Sequence, residues 1–239
     1  MIVCVLRNIC PESEDTVSGH VAANSQTKRP FLPGMGVDWL LPLYDPITRL
    51  LGLDHARREL LRQAELHPGN RVLDIGCGTG SLVVLAKTSY PSVDVVGVDP
   101  DDRALARAAR KARGAGASIQ FDRGFSDALD YPDGTFDRVL SSFMFHHLGR
   151  DEKARTLREV RRVLRANGRL HLLDFGGVDS AGRGARLPRL HSHHRLTDND
   201  EATILRLLDD AGFQSPTKTG ERAVLGGFAR TVYYRAGGR

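Results

Sequence analysis

Residues 71–80 read RVLDIGCGTG, and no other stretch restricts the fold so strongly. Val72, Leu73 and Ile75 form a short apolar run, the pattern of a parallel strand buried on both faces. Gly76, Gly78 and Gly80 then alternate, and without a Cβ the backbone can turn sharply and approach a ligand. The following SLVVLAKTS predicts a helix, with Ser81 placed to cap its first turn and Pro91 beyond its end. Strand, glycine turn and helix start together predict a nucleotide-type site, because amide N–H groups at a helix start face the crevice at the strand's carboxyl end. The spacing is G-x-G-x-G, with Ser81 where the third glycine of a dinucleotide loop, G-x-G-x-x-G, would stand. Asp74 would repel a pyrophosphate; it suits a ligand bearing an ammonium group, or a water network around one. A tight turn without a ligand is the alternative.

The rest of the chain alternates strands and helices, which predicts an α/β, doubly wound sheet. A helix with Asp54 as its cap and Ala56, Leu60, Leu61 and Ala64 inward precedes the glycine motif. The second strand, VDVVGVDPD, carries Asp99 at its end, where a carboxylate can accept from both hydroxyls of a ribose. Capping of the next helix, entered through Pro100, is the alternative. Asp101 and Asp102 suit that helix's positive end, and Leu105, Ala108, Ala109 and Ala112 line it before Gly114-Ala115-Gly116. SIQFDRG reads as a third strand. In the fourth, FDRVLSSFMFHHL, Phe136, Val139 and Leu140 bury, and Ser141 and Ser142 lie near the carboxyl end, where open α/β sheets bind ligands. His146 and His147 follow as candidates for a base or hydrogen-bond partner facing an acceptor, or for ordering their loop. A helix over about 151–165, capped by Asp151 and lined by Ala154, Leu157, Val160 and Leu164, is expected to end in a left-handed cap at Asn167-Gly168. RLHLLDF is the fifth strand. A last helix over about 200–211 turns Ile204, Leu205, Leu208 and Ala211 inward and stops at Gly212. The terminal FARTVYYRA reads as an antiparallel strand inserted beside a short one near 214–219.

VLDIGCGTG resembles motif I of the class I S-adenosylmethionine-dependent methyltransferases, and Asp99 matches that family's acidic motif II. LREVRRVLRANGRLHLLDF resembles the helix, turn and strand that close its core. WLLPLYDPITRLLGLD, with its Tyr-Asp pair, is similar to the N-terminal segment of the ubiquinone/menaquinone-type small-molecule methyltransferases. The resemblance runs from about residue 39 to the end. It implies a seven-stranded, mostly parallel sheet in the order 3-2-1-4-5-7-6, the last strand antiparallel, with helices on both faces. It implies S-adenosylmethionine as cofactor, its methionine part on Asp74, Gly76, Gly78 and Gly80 and its ribose at Asp99 beside Pro100. By the same resemblance Ser126 and Asp127, followed by Ala128, approach the adenine, although Phe-Ser-Asp-Ala replaces the family's usual Gly-Asp-Ala. Ser141 joins the cofactor set, and Tyr44 either reaches the cofactor carboxylate or packs on the core. SSFM is unlike the Asn/Asp-Pro-Pro-Tyr motif of nucleobase amino-methylating enzymes. The implied activity is O-, C- or N-methylation of a small-molecule acceptor, with His146 or His147 as its base. A catalytically silent methyltransferase-like binding module is the alternative, and a nicotinamide-dependent oxidoreductase a weaker one.

Of 239 residues, 34 are basic and 29 acidic, a net charge of +5 that reads as an Arg-rich solvated surface. No nucleic-acid partner is expected, and oligomeric state is open. Residues 1–34 are polar and aperiodic, an expected disordered extension with Met35 as an alternative start; 35–239 are expected to form one domain. The irregular stretch 176–199 is long for a connection and is expected to be lid-like. It carries Arg183, Arg186, Arg189, His191, His193, His194 and Arg195, which suit an anionic acceptor better than a metal, since no Cys or paired carboxylate accompanies the histidines. Cys4, Cys10 and Cys77 have no metal-ligand spacing and fit a reduced, cytoplasmic setting. No segment is long and apolar enough to span a membrane.

Overall fold

The computed structural model describes residues 52–176, 197–224 and 229–238. The elements are α1 Leu53–Ala64, β1 Arg71–Ile75, α2 Ser81–Ser89, β2 Asp94–Asp99, α3 Asp102–Gly114, β3 Gln120–Arg123, β4 Phe136–Ser142, α4 Arg150–Val163, β5 Leu164–Phe175, α5 Glu201–Asp210, β6 Gln214–Val224 and β7 Ala229–Gly237. Single 3₁₀ turns lie at Phe145–His147 and Thr197–Asn199. The seven strands form one sheet in the order β3-β2-β1-β4-β5-β7-β6, as the family resemblance implied. β3 through β5 pair in parallel, and β7 is antiparallel to both its neighbours. β6 runs on to Val224, well beyond the short strand expected near 214–219.

Alternation along each strand divides the core into two layers. Leu73, Val139 and Leu172 pack beneath α4 and α5, against Leu157, Val160, Ile204 and Leu208. Val72, Leu140 and Leu173 pack beneath α1, α2 and α3, with Leu60, Leu61, Val83 and Leu105. The opening Val72-Leu73 and Ile75 are fully buried because both faces of β1 are covered.

Three expected side-chain caps are replaced by glycine. Gly80, not Ser81, is the N-cap of α2, and no side chain caps that helix. Gly52 stands where Asp54 was expected at α1, and Gly149 where Asp151 was expected at α4. Asp54 instead accepts from Arg57 Nη1 at 3.0 Å, and Glu152 accepts from Gly149 N at 2.9 Å. At α3 the cap is Asp101, whose side chain accepts from Arg103 N, so Asp99 is released for other contacts. Asn167-Gly168 forms no left-handed cap: Gly168 is not among the positive-φ residues, and α4 passes directly into β5 at Leu164, which pairs with Phe136. A sheet bond to β4 takes the backbone before a Gly cap can form. Ala109 is only half-buried on α3, and Val163 takes a fully buried place on α4.

Gly80 also sets how closely α2 and α3 approach. Its φ is 76°, and a Cβ there would lie 2.7 Å from Ala108 Cβ and 3.1 Å from Ala108 Cα. Gly80→Ala is therefore expected to lower the urea midpoint by an amount equivalent to at least about 2 kcal/mol, combining left-handed strain with a backbone clash. An unchanged midpoint would show that the two helices separate freely.

Candidate active site

The glycine bend is tied to the carboxyl end of β2. Gly76 N and Cys77 N both donate to Val98 O, at 2.8 and 3.0 Å. Gly76, Gly78 and Gly80 have φ values of 66°, 52° and 76°, a run of left-handed residues only glycine adopts readily. At Gly76 a Cβ would fall 2.3 Å from Met144 Cγ, so the bend also meets the turn after β4.

Asp99 latches the bend. Its Oδ2 accepts from Gly78 N at 2.8 Å and its Oδ1 from Asp101 N at 2.9 Å. Each carboxylate oxygen has a second lone pair beyond these bonds. Burial raises the Asp99 carboxyl to about 6, against the pull of those two N–H donors. The raised value means that folded protein takes up this proton before unfolded chain does. The ligand-free fold should thus gain stability as pH falls through about 6 toward the ordinary aspartate range. Binding of a ribose diol should change in the opposite sense, weakening below pH of about 6, because a protonated carboxyl cannot accept from both hydroxyls. Calorimetric titration of S-adenosylmethionine from about pH 5 to 8 checks this; flat affinity would contradict it.

Asp74 lies just below the bend, 1% exposed, with neither oxygen hydrogen-bonded. Burial pushes its carboxyl well above the usual range; nearby Arg57 opposes the rise and Asp99 adds to it. Arg57, on α1, is itself 3% exposed and has its Nε unpartnered. A buried carboxylate without donors is costly, and a cationic or N–H-bearing ligand would satisfy it. Cys77 in the same bend is a buried free thiol, pushed up by burial.

After β4 the chain makes a strained corner. Phe143 has φ 56°, rare for a bulky residue, and its N–H donates to Leu173 O at 2.9 Å. Its ring lies 5.0 Å from Phe175 and beneath the Arg57 guanidinium. The corner delivers His146 to the end of β5. There His146 N donates to Asp174 Oδ2 at 2.9 Å, and His146 Nδ1 lies 2.6 Å from Asp174 Oδ1. Phe175 N donates to the same Oδ1 at 2.7 Å. Burial would raise the Asp174 carboxyl, but the His146 ring and these N–H donors outweigh it and hold it below its ordinary value. Nδ1 donates to this carboxylate, which leaves Nε2 on the opposite side of the ring. The His147 ring stacks on that of His146 at 4.0 Å, tilted 41°, and the His147 backbone N–H donates to Met144 O.

The other expected site residues are placed as follows. Gly124 N donates to Asp99 O at 3.2 Å, bringing the turn that carries Ser126 and Asp127 beside β2. Ser126 Oγ pairs with Thr156 Oγ1, and Asp127 Oδ2 accepts from Arg155 Nε at 3.0 Å, so both side chains are engaged by α4. Pro100 is half-buried between Asp99 and the α3 cap. Ser141 is fully buried with its Oγ unpartnered, and strand alternation puts it on the α4–α5 side of the sheet, opposite Asp74. Tyr44, residues 1–34 and the basic, histidine-bearing part of 176–199 lie outside the described residues. Among the described residues, no group of three His, Cys, Asp or Glu could hold a metal ion.

Asp174, Phe143 and Arg57 were not found from the sequence. Asp174 had a signal: it stands one residue before the end of β5, much as Asp99 ends β2, an acid near the carboxyl end of a parallel strand. Nothing local marked the other two.

The seven-stranded sheet has the methyltransferase fold, with the glycine bend and the strand acids at its carboxyl edge. Residues 72–168 match the family model described as "Methyltransferase domain". Among curated relatives, the chain is similar to a demethylmenaquinone methyltransferase of Deinococcus radiodurans, 37% identical over 66% of this chain and 65% of that protein. It is similar also to a ubiquinone/menaquinone biosynthesis C-methyltransferase, UbiE, of Geobacter sulfurreducens, 32% identical over 66% of this chain and 61% of the relative. The chain thus spans less than two thirds of the length of these relatives. Among solved structures, the YcgJ protein of Bacillus subtilis superposes with a TM-score of 0.66 at 19% identity, covering 77% of this chain and 98% of that one. A geranyl diphosphate methyltransferase in complex with GPP and sinefungin gives 0.63 at 15% identity, over 77% and 78% of the two chains. At these identities the superpositions speak for the fold. No helix among the described residues is long and apolar enough to cross a membrane.

Proposed function

We propose that this protein is an S-adenosylmethionine-dependent methyltransferase acting on a small-molecule acceptor, a phenol or hydroquinone ring by analogy with the quinone relatives. The observation that carries the reading is the buried, unpartnered Asp74 beneath a left-handed glycine bend latched by Asp99. Asp74 suits the ammonium of a methionine moiety, and Asp99 keeps a lone pair on each oxygen for the ribose hydroxyls. A pyrophosphate over Asp74 would meet repulsion, which disfavours the nicotinamide reading.

When bound, the cofactor supplies a methyl group activated on a sulfonium. The chain's residues do the rest. Gly76, Gly78 and Gly80 let the backbone close around the methionine end. Ser126 and Asp127, held beside β2, border the adenine. His146 Nε2 takes the proton from the acceptor hydroxyl, and Asp174 stabilises the imidazolium that forms. The resulting phenolate would be the nucleophile at oxygen; at a ring carbon, the ring C–H proton would also pass to water as aromaticity returns. The cofactor would supply the methyl group and accept the electron pair of its carbon–sulfur bond. Alignment contributes up to ~7–11 kcal/mol in good cases, and exclusion of water favours the dispersing charge.

The test is S-adenosylhomocysteine release across a panel of hydroquinones, phenols, amines and acids, run beside cofactor calorimetry. Turnover of a phenolic acceptor with cofactor binding is expected. Folded protein that binds no S-adenosylmethionine would end the reading, and binding without turnover of any acceptor would favour the silent module.

A further inference from the structure

Lys153 is fully buried, with no exposed surface, in the first turns of α4. Its Nζ donates to Asp198 O at 2.8 Å and to Asn199 Oδ1 at 3.1 Å. Asn199, itself 2% exposed, donates through Nδ2 to Phe175 O. Phe175 is the residue whose N–H donates to Asp174 Oδ1. Burial lowers the Lys153 ammonium's pKa, and the neighbouring Asp174, Asp198 and Asp200 oppose that. A buried ammonium is expensive, and an apolar side chain of the same length would fill this space more cheaply. The charge therefore needs a reason, and its place in the fold supplies one. Lys153 follows closely on the turn that carries His146, and its partners reach the end of β5 that carries Asp174.

We propose that Lys153 is a positioning residue for the acceptor side of the site: by holding Asp198 and Asn199 against the end of β5, it fixes the backbone that presents Asp174 and, through it, His146. The inference rests on the proposed function for what His146 does, but the clamp itself can be tested without turnover. The clamped carbonyl and the amide that donates to Asp174 both belong to Phe175 and flank its Cα. Loosening one loosens the other, whereas β1, β2 and Asp99, on the far side of β4, are untouched.

The experiment uses the full chain and two variants, Lys153→Met and Asn199→Asp. The first removes the charge at similar length. The second keeps an oxygen for Lys153 and removes the donor to Phe175 O. Amide hydrogen exchange is followed at His146 and Phe175, with amides of β1 and β2 as reference. Both variants should speed exchange at His146 and Phe175 by about tenfold and leave the reference amides unchanged. With an acceptor found, both should raise its KM or lower kcat about tenfold while the calorimetric Kd for S-adenosylmethionine stays within about twofold. Unchanged exchange at His146 and Phe175, or equal loosening of the reference strands, overturns the proposal, the latter by showing a general core role. Should Lys153→Met not fold, Asn199→Asp decides by the same two criteria. If the wild-type protein methylates no acceptor, the proposed function fails, and the exchange measurement still decides the clamp.

Discussion

Asp99→Ala is expected to weaken S-adenosylmethionine binding about 100-fold while leaving a folded protein. Two hydrogen bonds from ribose hydroxyls to a charged acceptor contribute about 1.5–3 kcal/mol each, and about 1.4 kcal/mol is tenfold in Kd. The structure adds a second route to the loss. Asp99 Oδ2 accepts from Gly78 N and Oδ1 from Asp101 N, so the variant also releases the middle of the glycine bend and the entry to α3. Asp99→Asn keeps one carbonyl oxygen and should lose about tenfold, its amide group facing a backbone N–H it cannot accept from. Because the carboxyl is raised to about 6 by burial, removing it should also make ligand-free stability less dependent on pH near 6. Calorimetry for affinity and urea denaturation for the fold separate the two effects. Wild-type affinity in Asp99→Ala would remove the ribose role altogether.

His146→Ala should reduce kcat by about 10²–10⁴, the range for loss of a general base, with cofactor Kd unchanged. Asp174→Asn should behave differently. Asp174 accepts from His146 N, from Phe175 N and from the His146 ring, and an amide can accept from only one side. The substitution should lower kcat by up to about 10⁴-fold, because an amide no longer fixes the imidazole tautomer, and should also loosen the turn after β4. Its acid stability should change as well. A carboxyl held below its ordinary value contributes stability above the ordinary aspartate pKa, and that stability is lost as pH falls through the folded value. The variant should therefore show a flatter decline of Tm with acid. Full turnover in His146→Ala would mean that the acceptor arrives already ionised or needs no base.

The departures from expectation share one physical origin. Ser81, Asp54 and Asp151 are good capping residues by type, yet glycines at 80, 52 and 149 hold the caps. A cap depends on where the backbone leaves helical φ/ψ, and at Gly80 that point is set by contact with Ala108 of α3. Asn167-Gly168 likewise has a helix-stop composition, but α4 passes straight into a sheet bond to Phe136. Local propensity amounts to tenths of a kcal/mol to about 1 kcal/mol, and a strand pairing or a helix contact outweighs it.

The alternation of strands and helices and the glycine bend followed from the sequence, because hydrophobic period and glycine spacing are local; the strand order and the helices on both faces came from the family resemblance. The acids at the ends of β1 and β2 were legible for the same reason: each directly follows an apolar run. Only the tertiary structure joined His146 to Asp174, 28 residues apart and on different strand ends. It alone put Phe143 in a left-handed corner against Phe175, and buried Lys153 against Asn199. Those contacts depend on the register of β4 against β5 and on how α4 lies over them. Such placements are set by packing across the whole sheet, and no window of neighbouring residues encodes them.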